Sequence, residues 1–422
     1  MKVFKFGGAS VKDAPSVRNI KNVIQGFQSD RLLVVVSAMG KTTNALEEIT
    51  AALFDKDLNR FRELVQERKD FHLAIIADLF PDKLHPIYTE VKDIFNDLGN
   101  RTGNNLAENY DFEYDQIVSL GEVVSTKIIQ AFLALERNDT VWVDARRLVR
   151  TNNNYRYADV NWQKTEALIT QMNSDYAQKN ILVTQGFLGH TDEGFTTTLG
   201  REGSDFTAGI FAYCLNADSV TIWKDVPGML NADPKWFDNT IKLDKISFKE
   251  AIELAYYGAS VIHPKTIKPI QNKGIPLYVK SFLNPSADGT VIQESTDSDS
   301  LIPSFIFKMN QVLISFTPKD FSFIVEDNMR RIFQVLAEVG ARINVMQNSA
   351  LSFSICLDMD LRKLELIMDK LSEEFEVKYN DGLELVTIRH YDQATIHRVT
   401  EKKDILLEQK TRQTVRIVMK DM

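Results

Sequence analysis

The chain is sparing with cysteine. Its 422 residues hold two, Cys214 and Cys356, each inside an apolar run, FAYCLNA and SFSICLDM. No Cys or His spacing suits a structural zinc, and two thiols make no disulfide framework. Both are expected as buried small hydrophobes in a reducing compartment. Basic excess is also missing: 50 Lys and Arg stand against 58 Asp and Glu, a net charge of -8, so no global footprint for nucleic acid exists. Long apolar runs are absent as well. Stretches such as LLVVV at 32–36 fall far short of the ~18 residues that cross a bilayer, and MKVFKFGG opens without an apolar signal region. A soluble, cytoplasmic protein is expected, with no membrane and no nucleic-acid partner. The G-x-x-x-x-G-K-[ST] phosphate loop is missing, and no G-x-G-x-x-G follows a strand downstream, so no fused dinucleotide-binding dehydrogenase is expected. No long tandem repeat and no extended low-complexity segment occurs.

What is present is an ordinary globular composition, 44% hydrophobic and 26% charged, long enough for two or three domains. Val3–Phe6 reads as a strand running into Gly7-Gly8. Ala14–Phe27 has helical apolar spacing at Val17, Ile20, Val23, Ile24 and Phe27. Leu32–Val36 is an uninterrupted apolar strand, as in a parallel sheet covered on both faces. Residues 45–135 read mostly as helix. Further strands are expected at Val141–Val143, Asn180–Gln185, Ser219–Trp223 and Ile275–Lys280, with helices between them. This alternation over about 290 residues predicts an α/β domain with a parallel sheet.

The polar STDSDS stretch near residue 295 reads as a linker. Beyond it, strand Phe305–Phe316, helix Asp327–Val339, strands Ile343–Gln347 and Ala350–Leu357, helix Leu361–Phe375 and strand Leu383–Arg389 give a β-α-β-β-α-β order. That is the ferredoxin-like arrangement, α+β and more often regulatory or dimerising than catalytic.

Several loops carry charge suited to phosphoryl transfer, which needs cations and donors around the moving group and an aligned acceptor. Lys5-Phe6-Gly7-Gly8-Ala9-Ser10 puts a lysine on a strand end beside glycines that let backbone N–H groups approach phosphate. Ser37 to Asn44 forms a small polar loop at the carboxyl end of a buried strand, the edge where open α/β sheets bind ligands. Ser119-Leu120-Gly121-Glu122 places a glutamate near a helix start. TTTLGREGSDFTA at 196–208 opens the helix Phe206–Leu215. It offers an anion-binding N-terminus, an Arg201 fork for a carboxylate and Asp205 to orient a lysine or an amine. WKDVPGMLNADPK at 223–235 is a shaped loop bearing Lys224 and Lys235. Read singly, these segments also have plain accounts: a turn with a solvated lysine, a Ser or Thr cap, an acid favoured by the helix dipole.

Together, KFGGASV at 5–11, SLGE around Glu122, TTTLGREGSDFTA at 196–208, WKDVPGMLNADPK at 223–235 and ELAYYGASVIHPKTI at 253–267 resemble the aspartate kinases of the amino acid kinase superfamily. The resemblance implies a three-layer amino acid kinase fold with a mainly parallel sheet over 1–295. Over 305–422 it implies an ACT-type region of one complete unit and a second, reduced or degenerate one. It also implies transfer of the γ-phosphoryl of ATP to the β-carboxylate of L-aspartate, with Mg²⁺ screening the phosphates. Lys5 and Asp205 would be catalytic. Ser37, Thr43, Glu122, Arg201 and Ser204 would bind aspartate, Glu122 holding the α-amino group and Arg201 the α-carboxylate. Lys5, Gly7, Gly8, Ser10, Lys224, Asp225, Leu230 and Lys235 would contact ATP. No protein-held metal is implied. A homodimer and an amino-acid effector at 343–354 are further expectations.

Three positions depart from the family pattern: Glu202 and Leu230 stand where glycine and tyrosine are common, and Ser260 where lysine is common. Two other readings stay open at this point. One is a sister kinase acting on glutamate or an acylated amino acid. The other is a non-catalytic amino-acid sensor on the same scaffold.

Overall fold

The protein is described by a computed structural model covering all residues except 102–106, 238, 260, 261 and 321. The chain divides into two compact units. One comprises 1–229, 244–252 and 261–296, the other 230–243, 253–260 and 297–422.

In chain order the first part runs β1 (Lys2–Phe6), α1 (Ala14–Gln25), β2 (Leu32–Val36), α2 (Thr42–Phe54), α3 (Leu58–Leu79), α4 (Ile87–Gly99), α5 (Tyr110–Val118), α6 (Leu120–Ala134), β3 (Thr140–Val143) and α7 (Trp162–Asp175). It continues with β4 (Ile181–Gln185), β5 (Leu188–His190), β6 (Thr196–Thr198), α8 (Gly203–Leu215), β7 (Ser219–Lys224), β8 (Lys245–Ser247), α9 (Phe248–Tyr257), α10 (Pro264–Gln271), β9 (Leu277–Ser281) and β10 (Thr290–Gln293). The main sheet has the order β3-β4-β2-β1-β7-β9-β10-β8. Its pairs are parallel except β10 against β9.

The expected strand at Leu32–Val36 forms as read, and all five of its residues are buried. Phe4, Phe6, Val34 and Val36 join a core with residues of α1 to α6. The alternate residues Val3, Leu33 and Val35 are also fully buried, and α8 packs against β1 and β2. Side chains alternate across a strand, so helices cover both faces and the sheet is the middle of three layers. Several helices start where the sequence offers an acceptor: Asp13 caps α1 through Ser16 N, Asp57 caps α3, and Asn161 caps α7. The run Tyr110–Ala134 is long and apolar enough to cross a membrane, but 67% of its most apolar stretch is buried inside the fold. It is a core helix pair.

β1 lies between β2 and β7, with Lys5 paired to Val35 on one side and Ile222 on the other. The chain therefore leaves β1 and β2 in one direction along the sheet and β7 in the other. This is a topological switch point, and the crevice at the carboxyl ends of such strands is where α/β sheets hold ligands.

The second unit is built on β11 (Ser304–Pro318), β12 (Ile343–Asn348), β13 (Phe353–Asp358), β14 (Phe375–Arg389), β15 (Lys403–Lys410) and β16 (Thr414–Asp421), with α11 (Glu326–Glu338), α12 (Leu361–Leu371) and α13 (Gln393–Thr400). The sheet order is β12-β13-β11-β14-β16-β15, antiparallel throughout. β11 and β14 are each 15 residues long. Their pairing breaks at a bulge between Lys308 and Gln311, where Asn310 takes φ 54°. One half of the sheet is the β-α-β-β-α-β arrangement with α11 and α12 over an apolar face. The other half takes the remaining ends of β11 and β14, adds β15 and β16, and has the eight-residue α13.

This division differs from 1–295 and 305–422 in two segments, 230–243 and 253–260. For 230–243 the physical reason is local. Phe237 stacks on Phe305 with ring centroids 4.6 Å apart. Asn231 O accepts Phe305 N at 2.6 Å and Asn231 Nδ2 donates to Pro303 O at 2.9 Å. The Arg398 guanidinium lies 4.0 Å above the Phe237 ring. Both cysteines are buried, and burial pushes their thiols up to about 12, so neither is a reactive thiolate.

Candidate active site

A cavity of about 490 Å³ opens at the carboxyl ends of β1, β2 and β7, lined among others by Lys5, Ser37, Thr43, Glu122, Arg201, Ser204, Asp205 and Lys224. Eight residues scattered from position 5 to 224 thus share one wall system. The strands and helix starts that carry them converge there.

Lys5, next to last in β1, points its ammonium at Asp205 in the first turn of α8, with Nζ to Oδ1 at 2.6 Å. Lys224, at the end of β7, stands 4.0 Å from the other carboxylate oxygen. One acid between two lysines leaves a net positive centre, the charge a polyphosphate needs. Burial lowers the Lys224 ammonium below its ordinary value, against the pull of Asp205. Gly7 brings its backbone close to the Lys5 ammonium, since a Cβ there would sit 3.4 Å from Lys5 Nζ.

Gly8 locks this strand end to the next loop. A Cβ on it would stand 2.8 Å from Gly40 O and 2.9 Å from Ala38 O, a distance no side chain tolerates, and Gly40 N donates to Gly8 O at 3.1 Å. The Ser37 loop is in turn held by α6. Ser125 Oγ donates to Ser37 O at 2.7 Å, and Ala38 N donates to Glu122 Oε1 at 3.3 Å. Glu122 is buried, its Oε2 is out of reach of solvent, and that atom has no hydrogen-bond partner among the described residues. Burial pushes its carboxyl up to about 8, against the Ala38 N–H and the Lys5 charge. A buried carboxylate with an orphaned oxygen is completed by a cationic ligand.

α8 presents its N-terminus to the cavity through Gly203, Ser204 and Asp205. Just before it, Arg201 is exposed, with no ion pair or hydrogen bond among the described residues. Glu202 takes φ 55°, a backbone region that favours glycine, so a glutamate here is held at some strain. Its Oε2 is also shielded from solvent without a hydrogen-bond partner among the described residues.

Tyr114, Arg156, Tyr157, Phe187 and Glu47 also line the cavity and were not anticipated from the sequence, whereas Thr198 lies in the 196–208 segment. The Tyr114 hydroxyl donates to Glu47 Oε1 at 2.5 Å. The Arg156 guanidinium lies 4.4 Å above the Tyr114 ring and bonds Asp111 at 3.1 Å. Behind this wall Asp115 is fully buried. Burial pushes its carboxyl up to about 6, against hydrogen bonds from Arg156 N and Thr198.

A family model described as the amino acid kinase family matches residues 1–281. Aspartokinase 2 (chloroplastic) of Arabidopsis thaliana is 31% identical over 399 residues, covering 89% of this chain and 70% of the relative. The chain belongs to the amino acid kinase family, among the aspartokinases. Lysine-sensitive aspartokinase 3 of Escherichia coli K12 is 29% identical over 398 residues, covering 92% and 86% of the two chains. The crystal structure of Escherichia coli aspartokinase III in complex with aspartate and ADP superimposes with a TM-score of 0.78 at 26% identity, over 99% of this chain and 96% of that one.

Not every residue picked from the aspartokinase pattern lines the cavity. Ser10 is buried beneath it, its hydroxyl 3.5 Å from Trp223 O. Asp225 is exposed just beyond β7. Leu230 and Lys235 belong to the second unit, where Lys235 is exposed and its N–H bonds Asp233 Oδ1 at 2.9 Å. Ser260 lies outside the described residues.

Proposed function

We propose that the protein is an aspartate kinase working at the head of the route to lysine, threonine and methionine. A β-carboxylate oxygen of L-aspartate attacks the γ-phosphorus of ATP, the bond to the β,γ-bridging oxygen breaks, and 4-phospho-L-aspartate and ADP result. The observation that carries this reading is the single cavity holding the Lys5–Asp205–Lys224 cluster together with Glu122 and Arg201. L-Aspartate has one ammonium and two carboxylates. Glu122 offers the orphaned acceptor for the ammonium and Arg201 a free fork for the α-carboxylate. That leaves the β-carboxylate for the phosphoryl centre, where Lys5 and Lys224 neutralise charge as the transition state forms. Gly7, Gly8 and the α8 N-terminus supply backbone donors for phosphate oxygens, and Ser37, Thr43 and Ser204 supply hydroxyls. Among the described residues no group of three or more His, Cys, Asp or Glu is arranged to hold a metal. When bound, Mg²⁺ would accompany the ATP phosphates and screen their charge.

The same reading includes a cytoplasmic homodimer with an amino-acid effector bound in the second unit. The lysine sensitivity of the Escherichia coli relative supports the effector. The pairing is supported by β12, an edge strand whose Met346 is 51% exposed. Light scattering and inhibition by lysine or threonine test these points.

The deciding experiment is acyl-phosphate formation from ATP and Mg²⁺, trapped with hydroxylamine, with L-aspartate, L-glutamate and N-acetyl-L-glutamate as separate acceptors. Product with aspartate alone is expected. Product only with another acceptor moves the protein to a sister kinase, and no product with any acceptor favours a sensor.

A further inference from the structure

We propose that Asp115 is a positioning residue for aspartate binding: from inside α5 its carboxylate ties together two separate stretches of the cavity wall, at Thr198 and Arg156. This rests on the aspartate kinase reading and adds a residue to it.

Asp115 is 0% exposed and does not itself reach the cavity. Both of its oxygens are committed to the wall. Oδ2 accepts Thr198 N at 2.9 Å and Arg156 N at 3.0 Å, and Oδ1 accepts the Thr198 hydroxyl at 2.7 Å. All three partners are donors, so a carboxylate satisfies them and a neutral amide of the same shape cannot. Thr198 and Arg156 both line the cavity and come from distant parts of the chain. A direct link between the two stretches is the bond from Ala158 N to Thr198 O at 3.0 Å.

The anchored conformation is not a relaxed one. Arg156 takes φ 68°, a region ordinary residues avoid, so its N–H bond to a buried carboxylate fixes a turn that would otherwise open. The effect reaches the proposed α-carboxylate clamp. Tyr157 packs so close to Gly200 that a Cβ there would stand 2.9 Å from its ring, and Gly200 precedes Arg201. Asp115 thus sets where Arg156 and Arg201 stand without touching the substrate. The Lys5–Asp205–Lys224 cluster contains no bond to it.

The test is steady-state kinetics of Asp115→Asn and Thr198→Val, with thermal unfolding of each. Asp115→Asn should raise the KM for aspartate about tenfold or more, the effect of losing a hydrogen bond to a charged group. Its kcat and its KM for ATP should stay within about threefold of wild type. Thr198→Val, which removes only the hydroxyl donor, should shift the aspartate KM in the same direction by about threefold to tenfold. A purely structural role would lower the folded fraction, and so kcat, at unchanged KM. That result in either variant, or an aspartate KM within twofold of wild type in folded Asp115→Asn, would overturn the assignment. Wild-type activity confined to another acceptor would overturn the aspartate reading and this assignment with it. Wild-type activity on aspartate with unchanged variant KM would overturn this assignment alone.

Discussion

The acids at the cavity of the first unit behave differently from acids elsewhere. The carboxyls of Glu122 and Asp115 are pushed up by burial at the cavity and its wall. Away from the cavity, Asp13, Asp139, Asp192 and Asp218 of the same unit are held below the usual carboxylate range by hydrogen bonds and nearby charge. In the second unit, each carboxyl with a resolved shift among the described residues moves down: Asp320, Glu338, Asp358 and Asp392. Asp358 is the instructive case. Burial pushes it up, but bonds from Gln311 and Asn344, both 2.9 Å, more than offset this. A parallel sheet covered on both faces drives the polar groups at its carboxyl edge into a low dielectric, where a ligand must complete them. An antiparallel sheet leaves its acids within reach of water or of neighbouring amides.

The contrast can be broken most severely at the phosphoryl centre. Lys5→Ala should lower kcat on the order of 10³-fold while changing the KM for aspartate little, because the charge it meets develops in the transition state. Near-normal turnover would remove Lys5 from that role. Next, Arg201→Ala should raise the KM for aspartate ~10–100-fold through loss of a charge-assisted pair, with ATP affinity nearly unchanged by calorimetry. Equal aspartate affinity would end the clamp assignment.

A smaller effect follows from Glu122. Its carboxyl holds a proton up to about 8 when folded, against an ordinary 4.5. The unfolded chain therefore ionises first, and the group's contribution to stability drains away as pH rises across that window. Glu122→Gln lacks this loss. Its melting temperature relative to wild type should climb from pH 4.5 to 8, on the order of a few degrees. A constant or falling difference would show that the site is wetter than its geometry indicates.

The smallest effect on catalysis should come from the second unit. Gln311 is 1% exposed and links Asn344 and Asp358, accepting at 2.8 Å and donating at 2.9 Å. Gln311→Leu should cost about 1–3 kcal/mol in denaturant unfolding of that unit and leave basal kcat within twofold. A large fall in kcat would mean the contrast with the cavity is not one of function.

Much of this was legible in the sequence where burial is strong. LLVVV could only be a strand covered twice, and Lys5, Glu122, Arg201 and Asp205 are charges where ordinary loops need none. The three-residue strands β5, β6 and β8 were not legible, since Thr196–Thr198 reads as polar loop and becomes strand only through its partner. The β15 and β16 strands and α13 were hidden in a charged tail. Arg156 sits in NNNYRYAD, which looks like solvated turn until the cavity is seen. Asp115 did carry a signal. It is spaced three and seven residues from Val118 and Glu122, on one helical face, and an acid sharing a face with buried residues needs partners. Leu230 and Lys235 were assigned to ATP by pattern alone, and Phe237 and Asn231 pack their segment within the second unit.

The central place of β1 has a consequence in time. Lys5 is made 200 positions ahead of its carboxylate partner, with Lys224 later still. At a synthesis rate of ~5–20 residues per second, the lysine waits ten seconds or more for its counterion. β2 can join β1 early, but β7 cannot, so the sheet's middle strand keeps an open edge while most of the unit is being made. The reacting centre is therefore among the last contacts to close, and slow, chaperone-sensitive folding should show itself as full secondary structure preceding activity.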